Sequence, residues 1–329
     1  STPLYSSAAS DVYKRQGQGD PFCCRTEWQL SIQEAFFPRR RLHLRESASG
    51  VLALAERKYP GLGPTLEPID CLWLFGCPLL GEGATDLLEA LLAERASQGQ
   101  RSNLIVSGVL PGEPLRDQIL RSFHARYDIY RAKTVVVRSA SLEGGLDGFL
   151  GRRSAVFRKR LRQAARRAES RGLVFERVVA RNAAESDACF DRMLAVEKTS
   201  WKGIDRCGMS ETESSRFYKA LSRRLAVSGA GRAIFARVDE RDVGFIFGGL
   251  AGPVYRGQQF SYDDAWSAAS LGNLLQQEQL RWLEEEGILR YDMGPEMEYK
   301  HHWTEIRTAM QVLLLRPKSG VRVAPASPG

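Results

Sequence analysis

Five ionisable residues stand out by where the sequence pattern puts them. Glu197 keeps helical spacing with Phe190, Met193 and Leu194, the apolar face of a segment from Ala184 to Lys198. A carboxylate on that face must be paired or carry a desolvation cost, so it is either half of a buried ion pair or a site carboxylate with a raised pKa. Asp263 and Asp264 stand where a strand opens toward a helix. There a general base and a loop carboxylate that caps the next turn are both open readings. Asp292 ends an otherwise apolar strand, with a structural hydrogen bond and a catalytic role equally open. Lys300 follows Tyr299 in a segment with neither helical nor strand period. Trp201, Trp266 and Trp303 suit an acceptor pocket or core packing. His43, His124, His301 and His302 have no metal-ligand partners at useful spacing, and no metal is expected. The chain has no GxSxG elbow, no HExxH, no P-loop and no GxGxxG, which removes the support for nucleophilic, zinc and nucleotide-hydrolysis chemistry.

The elements that must position these residues centre on Gln259 to Trp303. Gln259 to Asp263 reads as the end of a strand. Ser270 stands at a helix N-cap position, with Gly272 and Asn273 at the next exposed amides. Leu271, Leu274, Leu275 and Trp282 keep helical spacing until Gly287 stops the helix. A strand from Ile288 to Met293 carries Asp292, and a loop with Glu296, Glu298, Tyr299 and Lys300 follows. An open helix N-terminus favours an anion, and Gly272 would let a phosphate approach the backbone.

The 329 residues allow two domains, and 43% hydrophobic with 26% charged residues is ordinary for a globular protein. A net charge of +8 points to anionic partners: phosphate-bearing cofactors, nucleic acid or a membrane surface. Cysteines 23, 24, 71, 77, 189 and 207 show neither zinc nor disulfide-framework spacing, which suits a reducing cytoplasm. No apolar run approaches the roughly 18 residues of a spanning helix. Residues 1–20 are expected to be a non-native or disordered leader, since Asp11 to Gln16 reads as translated adapter sequence. Residues 319–329 are expected to be a disordered tail.

Between these ends, strands and helices alternate, as in an α/β chain with mixed sheets. In the first half we expect strands at Glu27 to Gln33, Asp70 to Phe75, Asn103 to Ser107 and Lys133 to Arg138. Helices are expected at Ala48 to Arg57, Gly83 to Ser97 and Glu113 to His124. A Gly-rich junction, Ser141 to Gly151, separates domains at 21–150 and 151–318. Arg152 to Arg171 then reads as an amphipathic helix with a cationic outer face. The second half has strands at Leu173 to Val179, Gly231 to Val238, Val243 to Leu250, Val254 to Tyr262 and Ala309 to Arg316. Helices at Ala184 to Lys198 and Glu213 to Ser228 complete it.

Three segments together resemble one family. Glu197-Lys198-Thr199-Ser200-Trp201-Lys202 is similar to an E-x-S-W-K segment. Ser270-Leu271-Gly272-Asn273-Leu274-Leu275 is similar to S-P-G-x-L-L, with Leu271 where proline is usual. Asp292-Met293-Gly294 and Glu298-Tyr299-Lys300, with Trp303, resemble a D-F-G…E-x-Y-K-x-x-W ending. The family is the CelD-like (cellulose-biosynthesis-type) acetyltransferases of the GNAT superfamily, related to Fem-type aminoacyl transferases. The resemblance covers about Phe149 to Arg316. It implies tandem GNAT-like domains, each a mixed twisted sheet flanked by helices. It also implies N-acyl transfer from acyl-CoA, without a metal, to an amine on a small molecule or a cell-envelope polysaccharide or peptide. In the Fem branch the donor is aminoacyl-tRNA, and a non-catalytic binding protein is a third reading. Direct attack of an amine needs a base, an oxyanion donor and a proton donor for the leaving group. Under this resemblance Glu197 or Asp263 is the base, Lys300 the oxyanion or phosphate partner, and Tyr262 or Tyr299 the proton donor. Ser270, Gly272, Asn273, Arg152 and Arg153 face the donor's phosphates. Trp201, Lys202, Asp292 and Glu296 face the acceptor.

Overall fold

The computed structural model describes residues 19–205, 208–210 and 212–319. The expected leader, but for its last two residues, and all but the first residue of the expected tail lie outside that range. Asp20, at the leader's end, is buried and accepts hydrogen bonds from the amides of Phe22 and Cys23.

The chain forms two compact units. Unit 1 runs to Gln33, then Phe37–Val136, and resumes at Ala309; unit 2 is Glu34–Phe36 with Val137–Thr308. The division thus falls inside a strand, not in the Gly-rich segment. That segment instead ends in a short helix, Gly145–Gly151.

In unit 1, β1 (Leu42–Glu46), β2 (Val51–Tyr59) and β3 (Gly63–Pro68) form an antiparallel meander, with the short β4 (Leu79–Leu80) also on β2. β5 (Asn103–Val109) pairs parallel with β3 after the crossover helix Ala84–Ser97. β6 (Tyr127–Ser141) starts in this unit and ends in the next. Leu54, Leu66, Leu88, Leu104 and Ile119 belong to one core.

Three expectations fail here. Val51 to Ala55 is buried without alternation, the signature of a strand covered on both faces, and not the start of a helix. Thr26–Phe36 is a helix that buries Trp28, Ile32 and Ala35, not a strand. Asp70 to Phe75 is a turn, because the buried Asp70 carboxylate accepts from the amides of Trp73 and Phe75 and from the Trp28 indole. Side-chain capping of this kind competes with ladder pairing.

Unit 2 follows the same order. β7 (Val174–Val178), β8 (Gly231–Val238), β9 (Arg241–Ala251) and β10 (Val254–Tyr262) form an antiparallel meander. The crossover helix Leu271–Glu285 leads to β11 (Arg290–Pro295), parallel to β10. The last residues of β6 close the sheet antiparallel to β11. β12 (Ile306–Pro317) belongs from Ala309 onward to unit 1, antiparallel to β5. Each unit is therefore a meander, one helix crossover to a parallel strand, and an antiparallel closing strand. Helices Ala155–Glu169, Ala183–Lys198 and Thr212–Val227 complete unit 2 near their expected bounds.

Candidate functional site

β10 and β11 run in register for only three residues, ending at Arg256 opposite Asp292. Beyond that point β10 continues along β9 to Tyr262, shifted by a bulge between Gly257 and Gln259, while β11 continues along β6. Two parallel strands that part leave unpaired edges facing a wedge. Tyr255 and Tyr291, one on each strand, donate hydrogen bonds to Gln279 and Gln276 of the Leu271–Glu285 helix at 3.1 and 2.6 Å. These bonds fix the helix against the parting strands.

At the point of parting lies a buried ion pair, Arg256 Nη1 to Asp292 Oδ1 at 3.1 Å. Asp292 also accepts from the Gly294 amide at 2.8 Å. Gly294 has φ +78°, and a Cβ there would stand 3.0 Å from the Arg256 guanidinium. Asp292 is thus a partner for Arg256, which the sequence reading missed because its own neighbours are ordinary strand residues.

Lys300 lies in a short 3-10 turn, Glu298–His302, and is only 5% exposed. Its Nζ donates to the Pro295 carbonyl at 2.7 Å. Burial, reinforced by Arg256 and Lys202 and opposed by Asp292, lowers its pKa to about 8. Beside it the exposed Tyr299 ring meets Phe260 edge-on at 6.2 Å.

Glu197 is 1% exposed. Its Oε1 accepts from the Ser210 amide at 3.2 Å, and its Oε2 has no hydrogen-bond partner among the described residues. Burial raises its pKa, with Lys202 and the Met209 and Ser210 amides opposing. Gly208 lies so close that a Cβ would come 2.2 Å from Oε1. No ion pair joins Glu197 among the described residues. Lys202 reaches across instead to β10, donating to Gln259 Oε1 and the Phe260 carbonyl, both at 2.8 Å. Gln259 Nε2 in turn donates to the Tyr218 oxygen at 2.6 Å. Tyr218 and Gln259 were also missed. Neither carries a charge or a motif to mark it.

The other expected residues fall elsewhere. Asp263 caps a 3-10 turn, accepting from the Ala265 amide at 3.0 Å, and pairs with Arg241. Ser270 has φ +58° and makes no side-chain cap. Its carbonyl accepts from Asn273 and Leu274, so the amides of Leu271 and Gly272 have no intrahelical acceptor. A Cβ on Gly272 would meet the Tyr262 ring at 2.9 Å and the Phe260 ring at 3.2 Å, so the close approach found there is aromatic. Arg152 donates to the carbonyls of Ser141 and Glu143, and Arg153 to that of Trp303, both pairing with Glu305. Neither is bonded at the helix N-terminus. Arg171 stacks 3.7 Å over the ring of Trp266, in the 3-10 turn Asp264–Ala269 that precedes the helix. Trp266 and Trp303 are core residues, Trp303 packing on Phe149 and Phe157, while Trp201 is half exposed. Glu296 is exposed and pairs with Arg138 and Arg307.

Unit 2 is a meander, a crossover helix with an open N-terminus, and two parallel strands that part over buried polar groups. Residues 155–301 match the acetyltransferase (GNAT) domain. The match falls within unit 2 and takes in the wedge and most of the polar groups around it. No curated protein matches the sequence. Among solved structures, FemX is 11% identical, with a TM-score of 0.65 over 93% of this chain and 96% of that one. A conserved protein of unknown function from Bacteroides thetaiotaomicron is 12% identical, with a TM-score of 0.63 over 95% and 98%. L-PGS from Bacillus licheniformis is 12% identical, with a TM-score of 0.58 over 94% and 91%. At these identities the likeness is one of fold, and it agrees with the tandem GNAT-like architecture expected from the sequence. No described helix is long and apolar enough to cross a membrane.

Proposed function

We propose that unit 2 moves an acyl group from acyl-CoA to an amine by direct attack within a ternary complex, as in CelD-like acyltransferases. The GNAT domain match supports acyl transfer in general. The observation that carries the finer reading is a pair of buried groups pushed in opposite directions. Glu197 is raised above and Lys300 lowered below their ordinary values, and Lys202 acts on both. Such a pair suits proton removal at one point and charge stabilisation at another.

Acyl-CoA would supply the activated thioester carbonyl. The two amides at Leu271 and Gly272 that lack an intrahelical acceptor, on a 15-residue helix, fit its phosphates, with Ser270 and Asn273 flanking. Glu197 Oε2 takes a proton from the attacking ammonium. Lys300 donates to the carbonyl oxygen as negative charge develops there. Tyr299, or Tyr262 beside Gly272, protonates the leaving thiolate. Asp292 serves through Arg256, which it holds at the point where the strands part. Trp201, Lys202 and Glu296 border the acceptor, an amine of a small molecule or of a cell-envelope polysaccharide or peptide.

A second reading takes aminoacyl-tRNA as donor. It is favoured by the exposed cations Lys159, Arg160, Arg162, Arg166 and Arg167, for which no acidic partner is found among the described residues. Thermal shift against acetyl-CoA, longer acyl-CoAs and charged tRNA separates the two, since a ligand of the folded state raises Tm. Stabilisation by an acyl-CoA with turnover of an amine supports the first reading. Stabilisation by charged tRNA alone replaces it with the second, and a response to none refutes both.

A further inference from the structure

Between Pro295 and His302 only Lys300 is buried; the residues on either side of it in the turn are exposed. A five-residue 3-10 turn with its other side chains in water does not fix a lysine by itself. The ammonium end of Lys300 is held by the Pro295 carbonyl at 2.7 Å. Its backbone end is held by the buried Thr304. The Thr304 hydroxyl and amide both lie on the Lys300 carbonyl, at 2.7 and 2.9 Å. The buried Arg138 of β6 meets the same threonine twice: Nε is 3.1 Å from Thr304 Oγ1, and Nη2 is 3.0 Å from the Thr304 carbonyl. A guanidinium only donates, so the hydroxyl accepts from Arg138 and its single proton is left for the Lys300 carbonyl. Arg138 also stands opposite Gly294 in the β6–β11 register, one residue before Pro295. One arginine therefore borders both points to which Lys300 is tied.

We infer that Arg138 and Thr304 are positioning residues, their paired hydrogen bonds fixing the turn from which Lys300 aims its ammonium. Neither needs to touch the substrate. The Thr304 hydroxyl carries the contact, and its methyl group does not. This rests on the role proposed for Lys300 in acyl transfer.

Thr304→Val keeps the shape of the side chain and removes the hydroxyl, whereas Thr304→Ser keeps the hydroxyl. Arg138→Lys keeps the charge but cannot meet Oγ1 and the carbonyl together as the guanidinium fork does. Arg256, Asp292 and Lys202, the charges that act on Lys300, and its neighbour Tyr299 are untouched by all three. Acetyl transfer from acetyl-CoA to a panel of primary amines is measured first. In Thr304→Val kcat should fall on the order of tenfold or more, with KM for acetyl-CoA within about twofold, and Thr304→Ser should restore it. Lysine labelled with 13C at Cε gives a readout without turnover, the Lys300 signal being assigned by its loss in Lys300→Met. The wild-type signal should titrate near 8, and in Thr304→Val the midpoint should move up toward 10.5 as the loosened turn lets water reach the ammonium. Unchanged kcat and an unchanged midpoint in Thr304→Val overturn the inference, as does an equal loss in Thr304→Ser. Should Thr304→Val not fold, Arg138→Lys carries the same two measurements with the same outcomes. If the wild-type protein acetylates no amine, the acyl-transfer reading fails, and the Lys300 titration alone decides the positioning.

Discussion

Replacing Lys300 with methionine should stabilise the protein while disabling it. Lys300 is only 5% exposed and its pKa falls from 10.5 to about 8. At about 1.4 kcal/mol per pH unit, that is on the order of 3 kcal/mol against the charged form. The sign follows from proton counting. Between about 8 and 10.5 the unfolded chain holds the proton and the native state does not, so native stability rises with pH across that window. Below pH 8 the full penalty is present. Lys300→Met removes it and keeps a stem of similar length. The substitution also deletes the bond to the Pro295 carbonyl, which costs about 1 kcal/mol. The net expectation is a gain of roughly 2 kcal/mol at pH 7, shrinking to nothing or to a loss by pH 10.5. Urea unfolding of both proteins across that range measures it. In the same protein, turnover should fall by on the order of a hundredfold or more, as for loss of an oxyanion donor, with little change in acyl-CoA affinity. A variant less stable at pH 7, with a pH-independent difference, would refute the claim that Lys300 is a desolvated cation. Normal turnover would remove it from the site, and an equal fall in donor affinity would make it a phosphate ligand.

Glu197→Gln should show a related trade. The native carboxyl keeps its proton above the ordinary 4.5, so stability is lost as pH rises from there. The variant's advantage in urea midpoint should therefore grow from acid to neutral pH, while turnover falls by about 10² or more. Gly208→Ala should swing the same carboxylate aside, because its Cβ would lie 2.2 Å from Oε1. Turnover should fall with a stability change under about 1 kcal/mol, since a flexible side-chain end can yield; unchanged turnover would show that the position of the carboxylate does not matter. Gly272→Val should cost roughly 1–3 kcal/mol, read from the denaturation midpoint, by displacing the Tyr262 and Phe260 rings. Full stability with lost donor affinity would return Gly272 to a purely phosphate-facing role.

Local chemistry made much of unit 2 legible in the sequence. Glu197 on an apolar helical face, the break between the strands that end at Val238 and begin at Val243, and the helix from Leu271 ended by Gly287 each follow from periods and breakers acting over a few residues. The same rules misread unit 1 where two structures share one pattern. Val51 to Ala55 is apolar at every position, and only burial on both faces makes it a strand. Asp70 to Phe75 looks like a strand until the Asp70 carboxylate takes up its amides. Tertiary structure alone decided which polar groups meet. Tyr218 comes from a helix, Arg256 and Gln259 from β10, and Arg171 from the turn after the Ala155–Glu169 helix, and nothing in their neighbours marks them. Asp263, Arg152 and Arg153 look available in sequence but are engaged by Arg241, Glu305 and backbone carbonyls. The reason is range. Helix and strand periods are set by residues a few positions apart, whereas desolvation, donor direction and ion pairing depend on neighbours tens of positions away in the chain. Lys202 meets its Gln259 partner across such a gap.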